Sequence, residues 1–193
     1  MRTLLLALLA ALAPAAASAT TMVFGSDSAS QCARAAILGR IDIDAEGWCD
    51  RALQEDMLNT SDRAKTLVNR GVMKLGRGDY EPARSDFEAA LKLEPKLPEA
   101  LLNRGAVWVG EHRYQAAIAD LSQAIELGTA QPEKAYYDRA LAYEGLDNEK
   151  SAYFDYLKAV ELKPGWLLPQ HELTRFHVSP GPATPPATSQ TGS

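Results

Sequence analysis

The sequence predicts an all-α protein, a solenoid of stacked helix–turn–helix hairpins closed by a C-terminal capping helix. Three observations predict it. The chain repeats itself: Gly71 and Gly105, Tyr80 and Tyr114, Ala83 and Ala117, and Ala90 and Ala124 all stand 34 residues apart. Within each copy two stretches carry apolar residues at helical spacing. Glycine-broken turns divide the stretches, and Pro95 and Pro164 stop the first and third copies. A third copy follows with a shift of 35, from Gly105 to Ala140 and from Ala117 to Ala152. The extra residue falls in the loop "GTAQP", where it costs little.

The elements follow in order. Residues 1–19 read as a signal peptide: Arg2, an apolar run over 4–12, and Ala17-Ser18-Ala19 as the small-x-small site, with cleavage after Ala19. The alternative is an uncleaved N-terminal anchor. Cleavage places the chain in the periplasm or outside the cell, and no other stretch is apolar enough to span a membrane. Residues 20–60 read as a degenerate N-terminal hairpin, "SASQCARAAILG" and then "DAEGWCDRALQEDML". Ala45 and Ala52 there are seven apart, as Ala83 and Ala90 are, and Ala33 precedes Ala45 by twelve, as Gly71 precedes Ala83. Three full copies occupy 61–95, 96–130 and 131–165, with Ser61 as a natural N-cap for the first. In 166–177, "WLLPQHELTRFH", a short helix is expected near 169–176, where Leu167, Leu168, Leu173 and Phe176 could cover the last hydrophobic face. The tail 178–193, "VSPGPATPPATSQTGS", is too poor in large apolar residues to order itself.

The repeat has a recognisable pattern. Bulky Leu67, Leu101 and Tyr136 open the first helices, followed by small Gly71, Gly105 and Ala140. The second helices carry Ala83, Ala117 and Ala152, then Phe87, Leu121 and Tyr156, then Ala90, Ala124 and Ala159. This pattern resembles the tetratricopeptide repeat, or TPR. It departs from that family in the arginines before the small residues, in Lys74 where an aromatic is usual, and in Gly128 at the middle stop. The resemblance implies a right-handed superhelical solenoid of the bacterial exported, periplasmic type, which "NRG" and "DRA" also resemble.

The resemblance further implies a concave groove, lined by the first helices, that holds a peptide or a partner's helix. Carried over, the groove would be Lys65, Val68, Asn69 and Val72, then Leu102, Asn103, Ala106 and Val109, then Lys134, Tyr137, Asp138, Leu141 and Glu144. Asparagine suits a bound backbone because its amide both donates and accepts. The family's clamp for a C-terminal carboxylate uses lysines and asparagines at set places, and Val68, Val72 and Asp138 occupy several of them, which speaks against a chaperone-tail receptor.

Each copy also pairs an arginine with an aspartate sixteen residues on: Arg70 with Asp86, Arg104 with Asp120, Arg139 with Asp155. An arginine fork could reach that carboxylate within the repeat or across to its neighbour and fix helix register. The alternative is solvated charge on outer faces. Cys32 and Cys49 remain after signal cleavage and enter an oxidising compartment. Aligned with the later copies, Cys32 takes the arginine place before Ala33, and Cys49 takes the place of Phe87, so the pair faces across the hairpin. A disulfide stapling the first hairpin is expected, against two buried free thiols.

The remaining chemistry is sparse. A net charge of −5 with no basic run gives no electrostatic case for nucleic acid. No phosphate loop, nucleophile elbow or paired-cysteine metal motif is present. His171 and His177 are six apart, on different faces of a helix. The function expected is therefore non-enzymatic and cofactor-free: an adaptor or scaffold in the cell envelope for a protein or peptide partner. The alternatives are self-association through the open end of the stack, and an enzyme or small-molecule binder using the groove.

Overall fold

The computed structural model describes residues 27–55 and 57–176, so the expected signal peptide and the tail lie outside the described residues. Among these residues are nine helices and no strand: α1 Asp27–Ile37, α2 Ile43–Glu55, α3 Thr60–Gly76, α4 Tyr80–Leu93, α5 Pro98–Gly110, α6 Tyr114–Glu126, α7 Pro132–Glu144, α8 Glu149–Leu162 and α9 Leu167–Leu173. Helix starts follow local chemistry. Asn59, rather than Ser61, caps α3, because its side chain accepts from the Asp62 amide at 2.8 Å. Proline opens α5 and α7, where its missing N–H costs nothing.

Successive helices pack as antiparallel hairpins, α1 with α2, α3 with α4, α5 with α6 and α7 with α8. Each first helix also packs on the next first helix, α1 on α3, α3 on α5 and α5 on α7. The second helices pack instead on the first helix that follows: α2 on α3, α4 on α5, α6 on α7. The first helices thus form the tighter inner layer, and the stack curves with its concave side along α1, α3, α5 and α7.

Small residues set the spacing. A β-carbon on Gly71 would lie 2.5 Å from the Phe87 ring, and one on Gly105 2.6 Å from Leu121. Phe87, Leu121 and Tyr156 are fully buried, so they fill the room those positions leave. A second small position recurs between hairpins. Ile41 packs on Gly76, Tyr80 on Gly110 and Tyr114 on Gly145, each bulky residue resting on the first helix of the next hairpin.

The turn inside each hairpin has one left-handed residue: Gly39, Gly78, His112 and Asp147, with φ of 67°, 83°, 57° and 57°. Those positions correct the alignment of the first hairpin. Gly78, His112 and Asp147 follow Gly71, Gly105 and Ala140 by seven, and Gly39 follows Cys32 by seven. Cys32 itself, not Ala33, is therefore the small-position residue; it is buried, whereas Ala33 is only half-buried. The turn into α2 is one residue longer, so Cys32 and Cys49 are 17 apart where the later copies use 16.

The C-terminal cover also differs from expectation in detail. Leu167 and Leu168 are exposed. Leu173 and Phe176 pack against the buried cluster of Ala140, Ala152 and Tyr156, the Phe176 ring lies 5.7 Å from that of Tyr153, and the Trp166 ring lies 4.8 Å from that of Tyr137. A seven-residue helix has too few turns to turn all its leucines inward.

Candidate functional site

The recurrent arginines and aspartates meet in all three full copies. Arg70 donates from Nε and one terminal nitrogen to both Asp86 oxygens at 2.9 and 2.6 Å. Arg104 does the same to Asp120 at 2.7 and 2.8 Å, and Arg139 to Asp155 at 2.8 and 2.9 Å. The remaining nitrogen reaches back one hairpin in two copies, from Arg70 to Asp50 at 2.7 Å and from Arg139 to Ser122 at 2.9 Å. Each aspartate is buried, and two gain a further donor: Lys74 Nζ on Asp86 and Trp108 Nε1 on Asp120, both at 2.9 Å. Burial works against the Arg70 charge, but its bonds to Asp86 and Asp50 outweigh that and raise its pKa. For Arg104 and Arg139 the aspartate bond is the leading cause and raises the pKa against burial. These forks tie first helix to second and, through the third nitrogen, hairpin to hairpin.

The first hairpin lacks this device. Its counterparts of the arginine and aspartate are Gln31 and Trp48, by the corrected register. Cys32 and Cys49 stand in its place as a disulfide pair with Cα atoms 4.8 Å apart. Both cysteines are fully buried, with Met73 of the next hairpin 3.9 Å from Cys49 Sγ.

The inner face presents three rungs in register. Lys65, Asn69 and Val72 lie on α3, Glu99, Asn103 and Ala106 on α5, and Lys134, Asp138 and Leu141 on α7. Lys65 and Lys134 are exposed, and the other seven are half-buried. Two clefts open here. One of about 240 Å³ runs between α1 and α3, lined by Ala29, Ser30, Ala33, Asp62, Lys65 and Asn69 among others. One of about 320 Å³ runs between α3 and α5, lined by Lys65, Val68, Asn69, Leu97 and Glu99. Glu99 and the α1 residues were missed by sequence reasoning. Glu99 stands 34 after Lys65 and was there to be found, whereas the α1 residues depended on the shifted register.

Some expected groove residues belong elsewhere. Leu102 is 3% exposed and Val68 6%, and both sit in core clusters between neighbouring first helices. Tyr137 holds the same place in α7 and turns toward Tyr156 and Trp166, so it anchors the capping region rather than the open face. Glu144 accepts from the Tyr156 hydroxyl and from Arg175 at 2.8 Å, which pins α9 to α7. The position is apolar or aromatic because it fills the seam between repeats.

Asp138 stands apart from the other groove residues. Burial pushes its carboxyl up to about 7, against the pull of Lys134 one turn earlier. Asn103 Nδ2 donates one of its two hydrogens to the Glu99 carbonyl at 2.7 Å, which leaves its side-chain oxygen and the other N–H open to the face. Among the described residues no cluster of three metal-ligating side chains occurs, and no helix is long and apolar enough to cross a membrane.

The comparisons with known proteins agree with this architecture. The family profile described as tetratricopeptide repeat matches residues 64–97 and 133–165. No curated protein sequence matches significantly. Among solved structures, MamA from Desulfovibrio magneticus RS-1 is 24% identical with a TM-score of 0.62, over 77% of this chain and 83% of that one. The first TPR of Spaghetti (RPAP3), bound to an HSP90 peptide, is 25% identical with a TM-score of 0.56, over 60% and 90%. The Arabidopsis OM64 TPR domain is 22% identical with a TM-score of 0.58, over 61% and 96%. With the period, the hairpin packing and the small-residue seams all in agreement, the chain carries tetratricopeptide repeats, matched at residues 64–97 and 133–165, within an all-α solenoid of the same fold as its structural neighbours.

Proposed function

We propose that this chain is a protein-interaction module that holds an extended peptide or a partner's helix along its concave face, as a non-enzymatic adaptor or scaffold in the cell envelope. The observation that carries the reading is the contrast between two sets of polar residues. The arginine–aspartate set is spent on internal bonds, whereas Lys65, Asn69, Asn103, Lys134 and Asp138 lie along one open face at the same place in successive hairpins. Polar groups at a regular repeat suit an extended chain, whose own donors and acceptors recur at regular spacing. A peptide-bound TPR domain among the structural neighbours supports the same class of ligand. The envelope rests on the signal-like residues 1–19 and on the buried cysteine pair, a device of oxidising compartments.

The test is a crosslinking pull-down from intact cells with Asn69→Ala, Asn103→Ala and an outer-face control. Loss of the partner with the inner-face variants, at unchanged helicity, supports the reading. Loss only with outer-face variants places the binding surface elsewhere. Self-association is favoured by Ile37, Leu38, Ile41 and Ile43, which lie exposed around the first turn. Light scattering across a concentration series separates a monomer from such an assembly.

A further inference from the structure

We propose that the segment held on the concave face carries a lysine or arginine, and that Asp138 receives that cation. The inference rests on the groove reading above and narrows the chemistry of its ligand. Asp86, Asp120 and Asp155 are each gripped by an arginine fork, but among the described residues no hydrogen bond or ion pair reaches Asp138. Its chain neighbour Arg139 faces the other way, toward Asp155 and Ser122. Lys134, one helical turn away, is exposed and outside ion-pair distance. The Asp138 oxygens are not sealed in, since the only side-chain polar atom that is fully buried without a hydrogen bond among the described residues is Arg84 Nε, which pairs with Glu111.

A carboxylate withdrawn from water without a donor gains most from a charged donor brought to it. The raised pKa of Asp138 is the same deficit seen from the proton's side. The adjoining rung points the same way. One Asn103 amide hydrogen is given to the Glu99 backbone carbonyl, so its side-chain oxygen is open as an acceptor beside one further N–H, and the Glu99 carboxylate lies on the same rung. The α5–α7 half of the face therefore sets two carboxylates, Glu99 and Asp138, and the Asn103 oxygen against the single exposed cation Lys134, a balance that favours a basic side chain. Ala106 and Leu141, one turn further along each helix, supply apolar surface for the aliphatic stem of a long basic side chain.

The experiment uses a phage-displayed random-peptide library selected on the full chain. Enriched peptides are then synthesised with each basic residue replaced by methionine, and affinities are read by fluorescence anisotropy on wild type, Asp138→Asn, Asn69→Ala and Asn103→Ala. The isosteric Asp138→Asn keeps the groove's shape, and its folding is checked by denaturant unfolding. Enriched sequences should share a lysine or arginine. Its replacement should weaken binding roughly tenfold on wild type and less than about twofold on Asp138→Asn. Enrichment of acidic or neutral peptides, or an equal loss on both proteins, overturns the assignment of Asp138 while leaving the groove intact. Peptides whose affinity ignores Asn69→Ala and Asn103→Ala, or no enrichment at all, overturn the groove reading itself.

Discussion

Arg104 shows what a recurrent charge does in this fold. Its fork closes on a buried carboxylate that also accepts from Trp108, so removing either partner strands the other in a dry seam. Breaking such a pair costs about 3 kcal/mol, against less than about 1 for an exposed pair. Asp120→Leu should therefore destabilise strongly, and adding Arg104→Met should cost less than the sum of the two single changes. Denaturant midpoints for the two singles and the double measure the coupling; simple additivity rejects it. Asp138 predicts the opposite sign. Its folded pKa, about 7, lies above the ordinary value of 3.8, so the folded state holds the proton more tightly. Its contribution to stability is full below about pH 4 and is lost as pH rises through about 7. Asp138→Asn should gain about 1–2 kcal/mol at about pH 8 and nothing near pH 4, read from urea unfolding at both values. The arginine–aspartate spacing was legible from three copies of one offset. The vacancy around Asp138 was not, because its sequence resembles a charged neighbour of Lys134 and Arg139, and only packing decides which charge each one meets.

At the level of the helix hairpin, the first copy uses a covalent link where the others set a glycine or alanine against a large side chain. With no arginine fork at Gln31 and Trp48, the α1–α2 contact is held by Cys32, Cys49, Ala35 and Ala45, with Met73 closing it from α3. A disulfide over a loop of this size stabilises by about 3 kcal/mol in the chain-entropy picture. The unreduced protein, alkylated under denaturing conditions, should show no labelled cysteine by intact mass. Cys32→Ala with Cys49→Ala should lose about that stability, with faster amide exchange concentrated in α1 and α2; two labelled thiols in freshly isolated protein would sink the prediction. The facing of the two cysteines could be read from the repeat, but their register could not. A single added residue in the turn leaves helical periodicity unchanged, and it became visible only when Gly39 was seen in the left-handed conformation its neighbours share.

Across the whole molecule, each hairpin presents a knob to the next: Ile41 to Gly76, Tyr80 to Gly110, Tyr114 to Gly145. Glu149 stands at the knob position of the last hairpin, so the stack passes no further knob on, and α9 covers the end instead. A solenoid's stability is close to a sum of nearest-neighbour terms. Removing residues from Trp166 onward should therefore expose Tyr137 and Tyr156, loosen α7 and α8, and leave α1 and α2 protected. Hydrogen exchange by peptide mapping checks this; equal loss in every helix would show one cooperative unit instead. The sequence by itself determined the all-α class, the period, the hairpins, the arginine–aspartate spacing and the cysteine pair, because each of these is a pattern of residue type against distance along the chain. The tertiary structure decided which side of each helix stays open. Val68, Leu102 and Tyr137 hold equivalent places, yet the first two sink into the seams between repeats and the third turns to the cap. The angle between neighbouring hairpins, set where small residues let backbones approach, divides one amphipathic helix into buried seam and exposed groove, and no local pattern in the chain encodes that angle.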